Sequence, residues 1–164
     1  MDWEKIKTMD LDERAERSRT LFRTGYNCTQ AVVMSYADVL DTDVQTLLAV
    51  SLPFGGGLSR LREVCGAVSG MALLTGLMAP PPDPADRTGK AAAYERVQNV
   101  AERFRMQHGA IVCRELLGIA VRKEEPMPEA RTEAYYRKRP CIELIASAAR
   151  IVGACLKEQA AGHL

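Results

Sequence analysis

Residues that stop helices recur along the chain, at Gly25, Pro53, Pro80 to Pro82, Gly109 and Gly118. The segments between them lack the apolar–polar alternation of a half-buried strand. That punctuation leaves room for helices and little else, and it predicts an all-α fold, a compact bundle of about six helices. At 164 residues the bundle fits a single domain (residues 1–164) with a core of its own. Residues 1–9 and 160–164 read as loose tails, and residues 119–139 as a long polar surface connection.

Local signals place the helices. Segment 10–23 is acidic at its start and ends on Arg23 just before Gly25, the order a helix dipole favours. Asn27 followed by Gln30 forms a variant of the capping box, which puts Cys28 at the first position of the next helix. Thr42 or Asp43 caps a helix that Pro53 ends. After the Gly55-Gly56-Gly57 loop, Ser59 is the expected cap of a helix carrying Cys65, Gly66 and Gly70. A long helix starts between Asp83 and Asp86 and should bury Tyr94, Val97, Val100, Ala101 and Phe104. A short helix over 110–118 carries Cys113, and Pro140 opens the last one, with Cys141 in its first turn.

Glycine weakens a helix by roughly 1 kcal/mol relative to alanine, so Gly66 and Gly70 imply something packed too close for a side chain, a neighbouring helix or a cofactor. Charge excludes other roles. The net charge is +1, with both signs interleaved and no basic block to neutralise phosphates, so nucleic acid is not an expected partner. The N-terminal residues lack the basic and apolar regions of an export signal. The most apolar stretch, Val64 to Ala79, is shorter than the roughly 20 residues of a membrane span. A cytoplasmic protein is expected, whose five cysteines are thiols, metal ligands or a catalytic pair.

Cys28, Cys65, Cys113 and Cys141 each fall near an expected helix start, where free N–H groups and the dipole favour thiolate over thiol. Arg62 lies one turn before Cys65 on the expected helix, and Arg114 and Arg139 flank Cys113 and Cys141. Each of these cysteines also has a plain reading as a small buried side chain, and for Cys155, mid-helix in an apolar run with no cap nearby, that is the favoured one. No pair is C-x-x-C, so neither a zinc ribbon nor a thioredoxin motif is present. The Gly55 to Gly57 loop could hold an anion, Glu63 could move a proton near Cys65, and His108 could stand near Cys113; a tight connection, a solvated carboxylate and a helix-end cation are the simpler readings. Tyr135 and Tyr136 next to Arg137, Lys138 and Arg139 read as a loop packed on the domain, and His163 as part of the tail.

The runs GYNCTQAV at 25–32, FGGGLSRLREVCGAVSGM at 54–71, CRELLG at 113–118 and RPC at 139–141 resemble the C_GCAxxG_C_C family, named as redox-active from its cysteines. A more distant resemblance is to split-Soret cytochromes, without their C-x-x-C-H haem motif. The resemblance makes Cys28, Cys65, Cys113 and Cys141 the signature set, with CGAxxG over 65–70. Three functions follow as expectations. One is an iron–sulfur cluster or other metal held by the four thiolates, with Gly66, Gly70 and Arg62 beside the cofactor, for electron transfer or sensing. Another is a metal-free thiol–disulfide protein with a redox partner. The last is a helical scaffold or partner-binding protein with mostly core cysteines, and a homo-oligomer is compatible with all three.

Overall fold

In a computed structural model that describes residues 1–120 and 124–162, the described residues form nine regular α-helices, besides two 3-10 turns at Ala37–Val39 and Leu52–Phe54 and a kinked turn at Gly55–Leu58. They are α1 (Trp3–Thr8), α2 (Leu11–Arg23), α3 (Cys28–Met34), α4 (Val44–Ser51), α5 (Gly66–Gly76), α6 (Arg87–His108), α7 (Cys113–Leu117), α8 (Glu133–Lys138) and α9 (Cys141–Ala161). No strand forms among the described residues; Val64 and Val112 make an isolated antiparallel bridge. Several starts fall where local chemistry puts them. Asp10, Asp43 and Asp86 cap α2, α4 and α6 through their carboxylates, and Asn27 and Gln30 close the capping box of α3.

The last helix, α9, is the centre of the bundle, in contact with α1, α2, α3, α5 and α6. Its buried face is rich in small residues, among them Ala146, Ala148, Ala149 and Gly153, which lets neighbours approach closely. Tyr36, fully buried, donates from its hydroxyl to the Ala149 carbonyl at 2.7 Å. Around this helix Phe22, Phe104, Ile6, Met71 and Leu74 are also fully buried, each contributing about 1.5–3 kcal/mol relative to exposure.

Gly66 and Gly70 belong to the crossing of α5 over α3. A Cβ on Gly66 would lie 2.8 Å from Thr29 Oγ1 and 3.0 Å from Cys28 Cβ, and one on Gly70 would lie 2.8 Å from Val32 Cβ. Thr29 donates to the Gly66 carbonyl at 2.9 Å across this seam. The glycines therefore serve helix packing, and the helix they admit is the one that carries Cys28.

Four expectations are corrected. Residues 1–9 are not a loose tail: α1 docks through Ile6 and Met9, both buried, and Ala160 at the other end is buried too. The connection over 119–139 contains α8. Ser59 does not cap the helix of Cys65. It sits at φ 48° in a run of left-handed backbone that includes Leu58, Arg60 and Arg62, and Cys65 itself is the residue preceding α5. Tyr94 faces solvent, since α6 buries only Val100 and Phe104. His163 lies outside the described residues.

A charged cluster holds the α1–α2 end. Arg14, whose side chain is 8% exposed, pairs with Asp38, and Lys5 and Arg17 join the same carboxylate at 2.5 and 3.0 Å. Burial opposes the charge on Asp38, but the hydrogen bonds and charges of Arg14, Lys5 and Arg17 hold its carboxyl well below the usual range. A depressed carboxyl contributes stability that is present above its unfolded value near 4 and is lost as pH falls through the folded one. Asp38→Asn should therefore cost about 1.5–3 kcal/mol at neutral pH. Urea unfolding across pH 3–7 checks this, and the variant's acid slope should be shallower than that of the parent.

Candidate functional site

One cavity, of about 630 Å³, takes Cys28, Cys65, Cys113 and Cys141 into its wall. Cys28 and Cys141 are the first residues of α3 and α9, Cys113 is the first of α7, and Cys65 immediately precedes α5. Loop pairing brings two of them together. The N–H of Cys65 donates to the Ile111 carbonyl at 2.8 Å, and the N–H of Cys113 to the Glu63 carbonyl at 2.6 Å, on either side of the Val64–Val112 bridge. Gly57 closes this corner, since a Cβ there would lie 2.6 Å from Cys113 Cβ.

The four thiols are free and differ in character. The neighbouring Cys141 thiol, the Arg131 guanidinium and the backbone of Gly56 together outweigh burial and pull Cys28 down to about 7. Its hydrogen bond with Cys28 pushes Cys141 up, with burial and the negative charge of the other three sulfurs adding to it. Burial pushes Cys65 up to about 12, reinforced by a charge at Cys28. Cys113 is also raised by burial, although Arg62 reaches its sulfur at 3.8 Å. A helix start therefore does not activate all four: burial chiefly raises Cys65 and Cys113, the proton held toward Cys28 chiefly raises Cys141, and of the four only Cys28 is lowered.

The chain matches the family model "Putative redox-active protein (C_GCAxxG_C_C)" over residues 26–155. It belongs to this family. No curated protein and no solved structure matches the chain. The four cysteines that the sequence resemblance picks out all line the cavity, and of the glycines in this chain's CGAVSG run Gly66 is on the wall while Gly70 sits behind it against Val32. Cys155 lies away from the cavity against the core.

Arg62 is on the wall, but not through helical spacing from Cys65. It has φ 60°, pairs with Glu124, and turns its guanidinium to Cys113. The glycine loop lines the wall, and the backbone of Gly56 is among the causes that lower Cys28. Glu63 faces Arg114 at 2.8 Å with its side chain half exposed, and His108 packs on Phe104 and bonds Ser147 at 2.7 Å; neither reaches the cavity wall. Sequence reasoning missed the contribution of the 119–139 connection. It supplies Pro126, Pro128, Glu129, Arg131 and Tyr135 to the wall, and the clue lay in a cationic, aromatic segment directly preceding Cys141.

The donor set is that of a four-thiolate metal site, yet among the described residues no three Cys, His, Asp or Glu side chains stand grouped to hold one ion. The arrangement as it stands does not fit a metal, and the chemistry below runs through sulfur alone. None of the described helices is long and apolar enough to cross a membrane.

Proposed function

We propose that the protein is a thiol–disulfide redox protein in which Cys28 attacks and Cys141 resolves. The placement of both cysteines on the wall of one cavity, each as the first residue of its helix, is the observation that carries this reading, and the lowered Cys28 beside the raised Cys141 assigns the two roles. The Cys28 thiolate attacks one sulfur of a disulfide RS–SR, forming Cys28–S–SR and releasing RS⁻, which takes up a proton. Cys141 then gives up its proton and attacks Cys28 Sγ, releasing the second RS⁻. The protein ends with a Cys28–Cys141 disulfide, and the substrate, two electrons richer, leaves as two thiols. The backbone of Gly56 and the guanidinium of Arg131 stabilise negative charge on the Cys28 sulfur before attack. A reducing cytoplasm suits this cycle, because it returns the cysteines to thiols between turnovers.

Treating the reduced protein with hydroxyethyl disulfide and mapping linked peptides by mass spectrometry tests the assignment. A Cys28–Cys141 link is expected; oxidation confined to Cys65 and Cys113 overturns it. The second reading is a four-thiolate iron–sulfur or zinc centre for electron transfer or sensing, favoured by the presence of all four cysteines on one cavity. It requires the sulfurs to draw together around the ion. Iron, zinc and acid-labile sulfide at stoichiometric levels in anaerobically purified protein, lost in Cys65→Ser, would replace the first reading with this one.

A further inference from the structure

The cations of the cavity are unequally occupied. Glu124 engages both Arg60 and Arg62, and Glu129 engages Arg139. Arg131 has no carboxylate partner among the described residues, and its Nη1 is buried without a hydrogen bond. The Nε of Arg62, on the same wall, is buried and unpartnered as well. Buried guanidinium N–H groups left unpaired are costly, and two of them on the wall of one cavity point to a ligand acceptor.

Arg131 is held in position before anything binds. Its guanidinium lies over the Phe22 ring at 4.4 Å and over Tyr135 at 4.8 Å, and Arg139 covers Tyr135 at 5.0 Å. A planar guanidinium fixed by stacking retains its edge for a planar, bidentate acceptor, which is the geometry of a carboxylate. Arg131 also lies close enough to Cys28 for its charge to act on that sulfur. The rest of the wall is largely apolar, with Leu52, Pro53, Leu116 and Leu144. Its volume of about 630 Å³ is that of a small-molecule site.

We infer that the cavity binds a low-molecular-weight disulfide carrying a carboxylate, with Arg131 anchoring the carboxylate so that the disulfide lies against Cys28. This rests on the thiol–disulfide reading and names the substrate class for it. The exchange is the one written above. The carboxylate takes no part in bond changes, and its ion pair with Arg131 places the sulfur under attack.

The test uses three disulfides of similar size and different charge: dithiodiglycolate, hydroxyethyl disulfide and cystamine. Rates of Cys28 modification are measured on the full chain and normalised to a free reference thiol. The protein should prefer the anionic probe over the neutral one, and Arg131→Gln should reduce that preference by about tenfold to a hundredfold, as expected for loss of a charge-assisted hydrogen bond. Because a change in Cys28 acidity affects every probe alike, the ratio between probes isolates recognition. Arg131→Lys should retain a substantial part of the preference, and Arg137→Gln, an exposed cation absent from the wall, should retain all of it. An anionic-to-neutral ratio unchanged in Arg131→Gln overturns the carboxylate anchor while leaving disulfide exchange standing. Failure of all three probes to react at Cys28 in the parent overturns the exchange reading, and the anchor with it.

Discussion

Cys28→Ser should lose most of its disulfide exchange at neutral pH, and a comparison of Cys28 with Cys65, over which it is favoured roughly a few hundredfold, gives the scale. With Cys28 at about 7, close to half of it is thiolate at pH 7, whereas Cys65 at about 12 has about one thiolate in a hundred thousand. The more basic sulfur is intrinsically the better nucleophile, which returns roughly two of those five powers of ten. Burial of Cys65 and Cys113 reduces their contribution further. Stopped-flow measurement with hydroxyethyl disulfide at pH 7 gives the number, and parent-like rates in the variant would remove Cys28 from the attacking role. The companion Cys141→Ala should hold the reaction at its first stage, with a mixed disulfide on Cys28 detectable by mass. Loss of the S–H donor, the largest cause lowering Cys28, also moves the midpoint of its pH–rate profile upward from about 7, so the variant should be slower at pH 7 and recover at higher pH.

Gly57→Ala should be the most damaging single-methyl change in the site. Its φ of +69° is a backbone state that costs an L-residue roughly 1–2 kcal/mol. The added Cβ would also lie 2.6 Å from Cys113 Cβ and 2.9 Å from the backbone nitrogen of Glu63, and such overpacking costs about 1–3 kcal/mol. Together these are about 2–5 kcal/mol, which lowers Tm by about 4–20 °C in a domain of this size. Gly109→Ala is the control. It shares the positive φ, at +83°, but has nothing within 4 Å of the new methyl group, so it should lose only the conformational part. Equal Tm shifts for the two would mean that the Cys113 corner yields to the methyl group and is not closely packed.

These two variants also mark what the sequence could and could not convey. The Asn27–Gln30 box and the Asp43 and Asp86 caps act within three residues of themselves, so the starts of α3, α4 and α6 were readable from a short window. The path from Leu58 to Arg62 was not. Non-glycine residues enter left-handed backbone here with partners far along the chain, Glu124 and Glu125 for Arg60 and Glu124 for Arg62. A cap reading at Ser59 was locally sound and was overridden by tertiary contacts. In the same way, four cysteines near helix starts suggested four activated thiols, but burial and mutual repulsion are properties of their assembly and single out Cys28. The glycines at 66 and 70 did signal a close approach, and only the fold could say that the approaching element was α3.

Cys28 and Cys141 begin helices that stand about 110 residues apart in the chain. In the unfolded polypeptide their mutual encounter is set by polymer statistics; in the folded one each sulfur experiences the other at a high effective concentration. Folding and cross-linking are thereby linked equilibria, and whatever the disulfide contributes to stability, about 4–5 kcal/mol by loop-closure entropy for a loop of this length, the fold returns as resistance of that disulfide to reduction. The reducing power of the pair is therefore a property of the whole bundle, and a core substitution far from any sulfur that loosens the seating of α9 against α3 will register as a change in redox potential.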